Sequence, residues 1–113
     1  MVKKELPHRE KDGVQGGRGV IEFSDLASID ETYGHIRLLS TCTLHPGCSI
    51  GYHTHEQETE FYYILQGEAV VSDNGTEVVM HPGQVMSTGN GQGHSIENRT
   101  QSDVVILAMI VTA

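Results

Sequence analysis

The sequence predicts an all-β fold, a single-domain jelly-roll β-barrel, on three observations. Thirteen of the 113 residues are glycine and helix-favouring runs are few, so tight turns outnumber long helices. From His35 to His45 the chain reads HIRLLSTCTLH, with Ile36, Leu38, Cys42 and Leu44 on one parity and Arg37, Thr41 and Thr43 on the other. Alternation with period two marks a half-buried strand. Between VVS and TEVVM stands Asp73-Asn74-Gly75, and Asn-Gly supplies the positive φ angles of a type I′ hairpin turn.

The remaining elements follow in chain order. Residues 1–12 are polar and charged and read as a solvated arm or an edge segment. Gly13 to Gly19, GVQGGRG, is a flexible turn. Residues 1–19 are thus expected as an arm with a glycine-rich turn, and 20–113 as the barrel domain. Val20 to Phe23 reads as a short strand, and Ser24 to Ala27 as the start of one helical turn capped by Ser24. Gly34 breaks the chain and Pro46-Gly47 turns it. Cys48 to His55 is the next strand, Glu56 to Thr59 a polar turn, and Glu60 to Ser72 a long strand region with a bend or bulge at Gly67. His81-Pro82-Gly83 and Asn90-Gly91 flank a short strand at Gln84 to Ser87. His94 to Asn98 and the apolar VVILAMIVT complete the pattern. Eight or so short strands joined by glycine turns suit a jelly roll best.

Composition narrows the function. At 113 residues the chain makes one domain with a modest core. Its net charge of −8 repels phosphate backbones, which argues against nucleic acid as a partner. No apolar run approaches the roughly 18 residues of a membrane span. MVKKELPHREKDG has charges but no apolar h-region, so a cytoplasmic protein is expected. Cys42 and Cys48 lack a CxxC spacing and read as small, partly buried hydrophobes in a reducing compartment.

The residues that carry chemistry are histidines. His53 and His55 stand two apart on a predicted strand, so they share a face, about 6.6 Å apart along the chain. Two imidazoles so placed can converge on one ion, since metal–nitrogen bonds are about 2.0–2.1 Å long. A third, His94, lies in the glycine-punctuated stretch GQVMSTGNGQGHSIEN. A carboxylate can come from Glu56, Glu58 or Glu60. Glu60 begins the apolar run, whereas the other two lie in the turn and read as solvated. Three imidazoles and one carboxylate hold a divalent ion and leave positions open, which suits catalysis or ligand binding better than a structural role. His8, His35, His45 and His81 lie in the arm or at strand ends and read as non-ligands.

These two stretches resemble the two motifs of the cupin family. The first motif is Gly, five residues, His-x-His, three or four residues, Glu, six residues, Gly; here Gly47, His53, His55, Glu60 and Gly67 occupy it without departure. The second is Gly, five residues, Pro-x-Gly, two residues, His, three residues, Asn. Here it is Gly83, Gly89, Gly91, His94 and Asn98, with Gly89 in the proline position. The resemblance implies a cupin jelly-roll barrel and a metal bound by His53, His55, Glu60 and His94. Nitrogen and oxygen ligands suit Mn, Fe, Ni, Co or Zn. Tyr62 shares parity with Glu60 and Asn98 with His94, so both are candidates for a substrate pocket. Arg37 is a third, as a cation inside a strand that can clamp a carboxylate.

The chain looks like small single-domain cupins grouped with oxalate decarboxylases. That resemblance implies an enzyme acting on a small carboxylate chelated to the metal. Oxalate decarboxylases place an arginine three residues before the first ligand histidine, and here that position is Ile50. The alternative is a non-catalytic module that captures a metabolite through the metal. A thiol dioxygenase fits less well, because such enzymes generally lack the motif glutamate. A homodimer is also expected: VVILAMIVT and FYYIL are apolar on both faces, and a lone barrel would leave one face of each in water.

Overall fold

The computed structural model describes residues 1–113 as ten strands in two antiparallel sheets. In chain order the strands are β1 His8–Asp12, β2 Val20–Asp25, β3 Ile36–Leu44, β4 Ser49–Thr54, β5 Glu58–Gln66, β6 Ala69–Asp73, β7 Thr76–Met80, β8 Val85–Thr88, β9 Gly93–Glu97 and β10 Val104–Thr112. One sheet has the order β1-β2-β3-β10-β5-β8 and the other β4-β9-β6-β7. No ladder joins them, so the expected jelly roll is a two-sheeted sandwich rather than a continuous barrel.

The period-two pattern sorts side chains as expected. On β3, Ser40, Cys42 and Leu44 are buried; on β10, Val104, Ile106, Ala108 and Ile110 are. These pack with Ile21, Tyr62, Ile64, Val71 and Ile96 into one core between the sheets. Asn74 and Gly75 adopt φ of 50° and 97° and pair β6 with β7, as the Asn-Gly turn requires. The bulge expected at Gly67 falls at Leu65, where the β5–β10 register skips a residue. Gly67 itself takes φ of 84° and sits where a Cβ would lie 2.5 Å from the Asp103 carbonyl oxygen.

One expectation changes. No helical turn starts at Ser24: Ser24 and Asp25 finish β2, paired with Thr41 and Ser40 of β3. The ladder supplies their backbone partners, and the short 3-10 turn comes later, at Asp30–Thr32. Of the two alternatives for residues 1–12, a solvated arm or an edge segment, His8–Asp12 takes the second: it is the edge strand of the larger sheet, paired residue for residue with β2. The glycine-rich turn after it is anchored too. Val14 is buried, and Gly17 lies so close to β4 that a Cβ there would meet the Ser49 carbonyl oxygen at 2.1 Å.

Candidate metal centre

The two sheets bring the candidate ligands together from opposite sides. His53 on β4 stands directly across from His94 on β9. His55 follows the end of β4, where its backbone N–H donates to the Gln92 carbonyl at 3.1 Å. Glu60 on β5 faces them from the other sheet, paired with Thr88 of β8 and Ile110 of β10. Glu60 Oε1 lies 2.9 Å from His55 Nε2, 2.9 Å from His94 Nε2 and 3.3 Å from His53 Nε2. His94 Nε2 is 3.0 Å from His53 Nε2 and 3.1 Å from His55 Nε2. Donors about 3 Å apart are neighbouring corners around an ion with bonds of about 2.0–2.1 Å.

The other ring nitrogens explain why Nε2 points inward. His53 Nδ1–H donates to the Gly51 carbonyl at 2.7 Å, His55 Nδ1–H to the Glu58 carboxylate at 2.6 Å, and His94 Nδ1–H to the Thr88 hydroxyl oxygen at 2.9 Å. With each proton held on Nδ1, three Nε2 lone pairs converge on a carboxylate oxygen. Such a buried cluster of lone pairs repels itself unless a cation lies within it. The donor set therefore fits a divalent ion, and His53, His55, Glu60 and His94 are the group that can hold one.

The surroundings tune these groups. Burial works to raise the pKa of Glu60, but the three histidine rings around it outweigh burial and hold the carboxyl well below its usual range, in the ionised form that a ligand needs. Glu58 is lowered to about 2, first by the hydrogen bond from Arg37. Burial pushes His94 down, favouring the neutral form that ligates. Tyr62 stacks on the His94 ring at 4.5 Å with 9° between planes, fixing its orientation.

The centre opens into a cavity of about 200 Å³ between the sheets. Tyr62 lines it, fully buried, with its hydroxyl held protonated by burial. Arg37 lines it at the rim, half-exposed, with its fork on Glu58 at 2.8 and 2.7 Å. Asn98 does not line it, a correction to its candidacy as a pocket residue. The Asn98 amide donates to the Leu44 and Ser102 carbonyls at 2.9 and 2.7 Å and its oxygen accepts from Thr100, so it braces the turn after β9. Thr88 escaped the sequence reading, and Glu58, weighed there as a possible ligand, orients His55 instead. Glu58 sits three residues after His55 and on the parity of Glu60, a signal obscured by its apparent place in a turn. Thr88 lies one residue beyond the strand end predicted at Ser87.

Comparison with known proteins agrees with this geometry. The cupin domain profile matches residues 40–110. An oxalate-binding protein of Thermotoga maritima is 40% identical over 107 residues, which cover 95% of this chain and 88% of that protein. The polyketide synthase protein TcmJ of Streptomyces glaucescens is 33% identical over 87 residues, covering 75% of this chain and 54% of TcmJ, so the chain spans about half of that relative. A crystal structure from Thermotoga maritima, described as a predicted oxalate decarboxylase, superimposes with a TM-score of 0.96 at 39% identity, with both chains covered completely. A profile match over most of the chain, joined to a relative at that identity along nearly its whole length, settles the family: the chain is a cupin.

Proposed function

We propose that this protein captures a small dicarboxylate, oxalate or a close analogue, on a divalent ion held by His53, His55, Glu60 and His94. The ion supplies a Lewis-acid centre to which carboxylate oxygens bind. The observation that carries the reading is the charge of the cavity wall. Arg9, Lys11 and Arg37 surround the centre, and the one carboxylate lining the cavity, Glu60, is engaged by the imidazoles. With Arg9 paired to Asp25 and Arg37 to Glu58, the positive charge left for a small anion there is that of Lys11 and of a bound ion. The 40% identity to an oxalate-binding protein supports the same ligand class.

Binding without turnover is favoured over decarboxylation by the lack of a free general base. Apart from the ligands, the titratable groups lining the cavity are three cations, Cys42 and Tyr62. Burial pushes the Cys42 thiol up to about 12 and the Tyr62 phenol up as well, so neither exchanges a proton near neutrality. The test is to incubate metal-loaded protein with oxalate and a panel of small acids, following heat by calorimetry and loss by NMR. Saturable binding of oxalate without conversion is expected. Steady conversion would establish an enzyme instead, and no binding to the loaded protein would overturn the reading.

A further inference from the structure

The edge strand β1 carries a charge pattern that the metal centre does not explain. Residues opposite each other in an antiparallel pair share a face. Arg9 stands opposite Phe23 and Lys11 opposite Ile21, both buried in the core. The alternate residues of this strand thus turn two cations toward the cavity, which both line.

The three cavity cations differ in their partners. Arg9 donates to both carboxylate oxygens of Asp25, at 3.1 and 3.2 Å, and lies 4.2 Å over the Phe23 ring. Arg37 is forked onto Glu58. Lys11 has neither an ion pair nor a hydrogen-bond partner. The Arg9–Asp25 and Arg37–Glu58 pairs add no net charge, whereas a divalent ion beside Glu60 leaves one positive charge and Lys11 adds a second. A ligand with two negative charges neutralises that pair, and one with a single charge does not.

We propose that Lys11 is the specificity-determining residue of this site, selecting dianionic over monoanionic ligands by pairing with the carboxylate oxygens that point away from the ion. The inference rests on the reading of the site as a metal-mediated carboxylate binder. The local structure supports it. The turn after β1 is fixed against the strand that bears His53, because Gly51 lies where a Cβ would meet the Gln15 carbonyl oxygen at 2.1 Å. Lys11 therefore reaches the cavity from a wall in close contact with β4. Gln15 lines the same cavity and carries a neutral amide donor. The competing explanation is that inward charges on β1 only discourage edge-to-edge pairing with another sheet. That role makes no demand on the ligand.

The experiment uses protein loaded with one equivalent of Mn(II), desalted, and titrated calorimetrically with oxalate and with glyoxylate, a monoanion that offers a similar chelating pair of oxygens. Lys11→Gln is expected to weaken oxalate about tenfold or more, the scale of a lost charge-assisted hydrogen bond, with a clearly smaller loss for glyoxylate. Lys11→Arg should recover most of the oxalate affinity. Lys4→Gln, an exposed lysine outside the cavity, serves as the control for overall charge and should change neither. Metal content and melting temperature of Lys11→Gln should match the wild type. Unchanged oxalate affinity in Lys11→Gln, or equal losses for both acids, overturns the role of Lys11 while leaving the carboxylate-binding reading standing. A wild-type protein that holds Mn(II) and binds neither acid overturns both.

Discussion

At the scale of single residues, the centre depends on four donors and on the groups that aim them. His53→Ala, His55→Ala and His94→Ala should each sharply lower the metal content found by elemental analysis, and Glu60→Gln should weaken binding by removing the one anionic ligand. Glu58→Gln is a different case. Its carboxylate accepts the Nδ1–H of His55 and the fork of Arg37, so losing its charge should leave the full stoichiometry at saturating metal but reduce affinity about 10–100-fold. A competition titration against a chelator reads that difference; an unchanged constant would show that Glu58 only ties Arg37 down. His53 and His55 were legible because they stand two apart at the end of one strand, and Glu60 and His94 because they complete motif spacings. Glu58, Thr88 and Lys11 were not. Glu58 and Thr88 act through partners across a turn or on another strand, Lys11 lines the cavity from the edge strand, and only the fold decides that Thr88 of β8 meets His94 of β9.

At the scale of elements, the ends of β2 and β3 and the approach to β10 are joined by one imidazole. His45 contacts Asp103 through Nδ1 at 2.8 Å and Glu22 through Nε2. The hydrogen bond to Asp103 and then that to Glu22 raise its pKa. The protonated form is thus favoured in the folded state. Its contribution is complete below the unfolded value of about 6.5 and is lost as pH rises through the higher folded value. Melting curves of wild type and His45→Gln should therefore differ at about pH 5.5 and converge by about pH 9. A gap that widened with pH would contradict this linkage. Gly51→Ala tests the junction between β4 and the turn after β1. Its methyl group would collide with the Gln15 carbonyl, and overpacking of this kind costs roughly 1–3 kcal/mol, measurable by denaturant titration. Element boundaries were read well where the alternation was clean, as on β3 and at the Asn74-Gly75 hairpin. They failed where the local signal was weak. Ser24 has the chemistry of a helix cap, yet it and Asp25 pair with Thr41 and Ser40, and a ladder on β3 outweighs a single capping bond. His8–Asp12 has no apolar residue to announce a strand, and it becomes one because the edge of β2 offers a full row of partners.

At the scale of the whole molecule, the core of apolar side chains between the sheets does not include the four candidate ligands. The chelated protein should therefore keep a cooperative thermal transition, and saturating metal should raise stability by mass action, about 2.7 kcal/mol at a free concentration one hundred times Kd. Loss of the transition on chelation would make the centre structural. Association is expected through the outer face of the larger sheet, where Tyr63, Leu65 and Val85 are exposed and Tyr63 pairs with both Val85 and Leu107. Light scattering at micromolar concentration should give twice 12.4 kDa; a strict monomer would exclude that surface as an interface. The order of strands has a further consequence, for synthesis on the ribosome. β10 is the last strand of the domain, yet it lies in the interior of its sheet, between β3 and β5. While the first nine strands emerge, that sheet exists only as two unjoined halves, β1-β2-β3 and β5-β8. The facing edges of β3 and β5 stay open until β10 leaves the exit tunnel. During translation those edges are the surfaces most exposed to strand pairing with other nascent chains, and a chaperone shielding them would be needed only until β10 arrives.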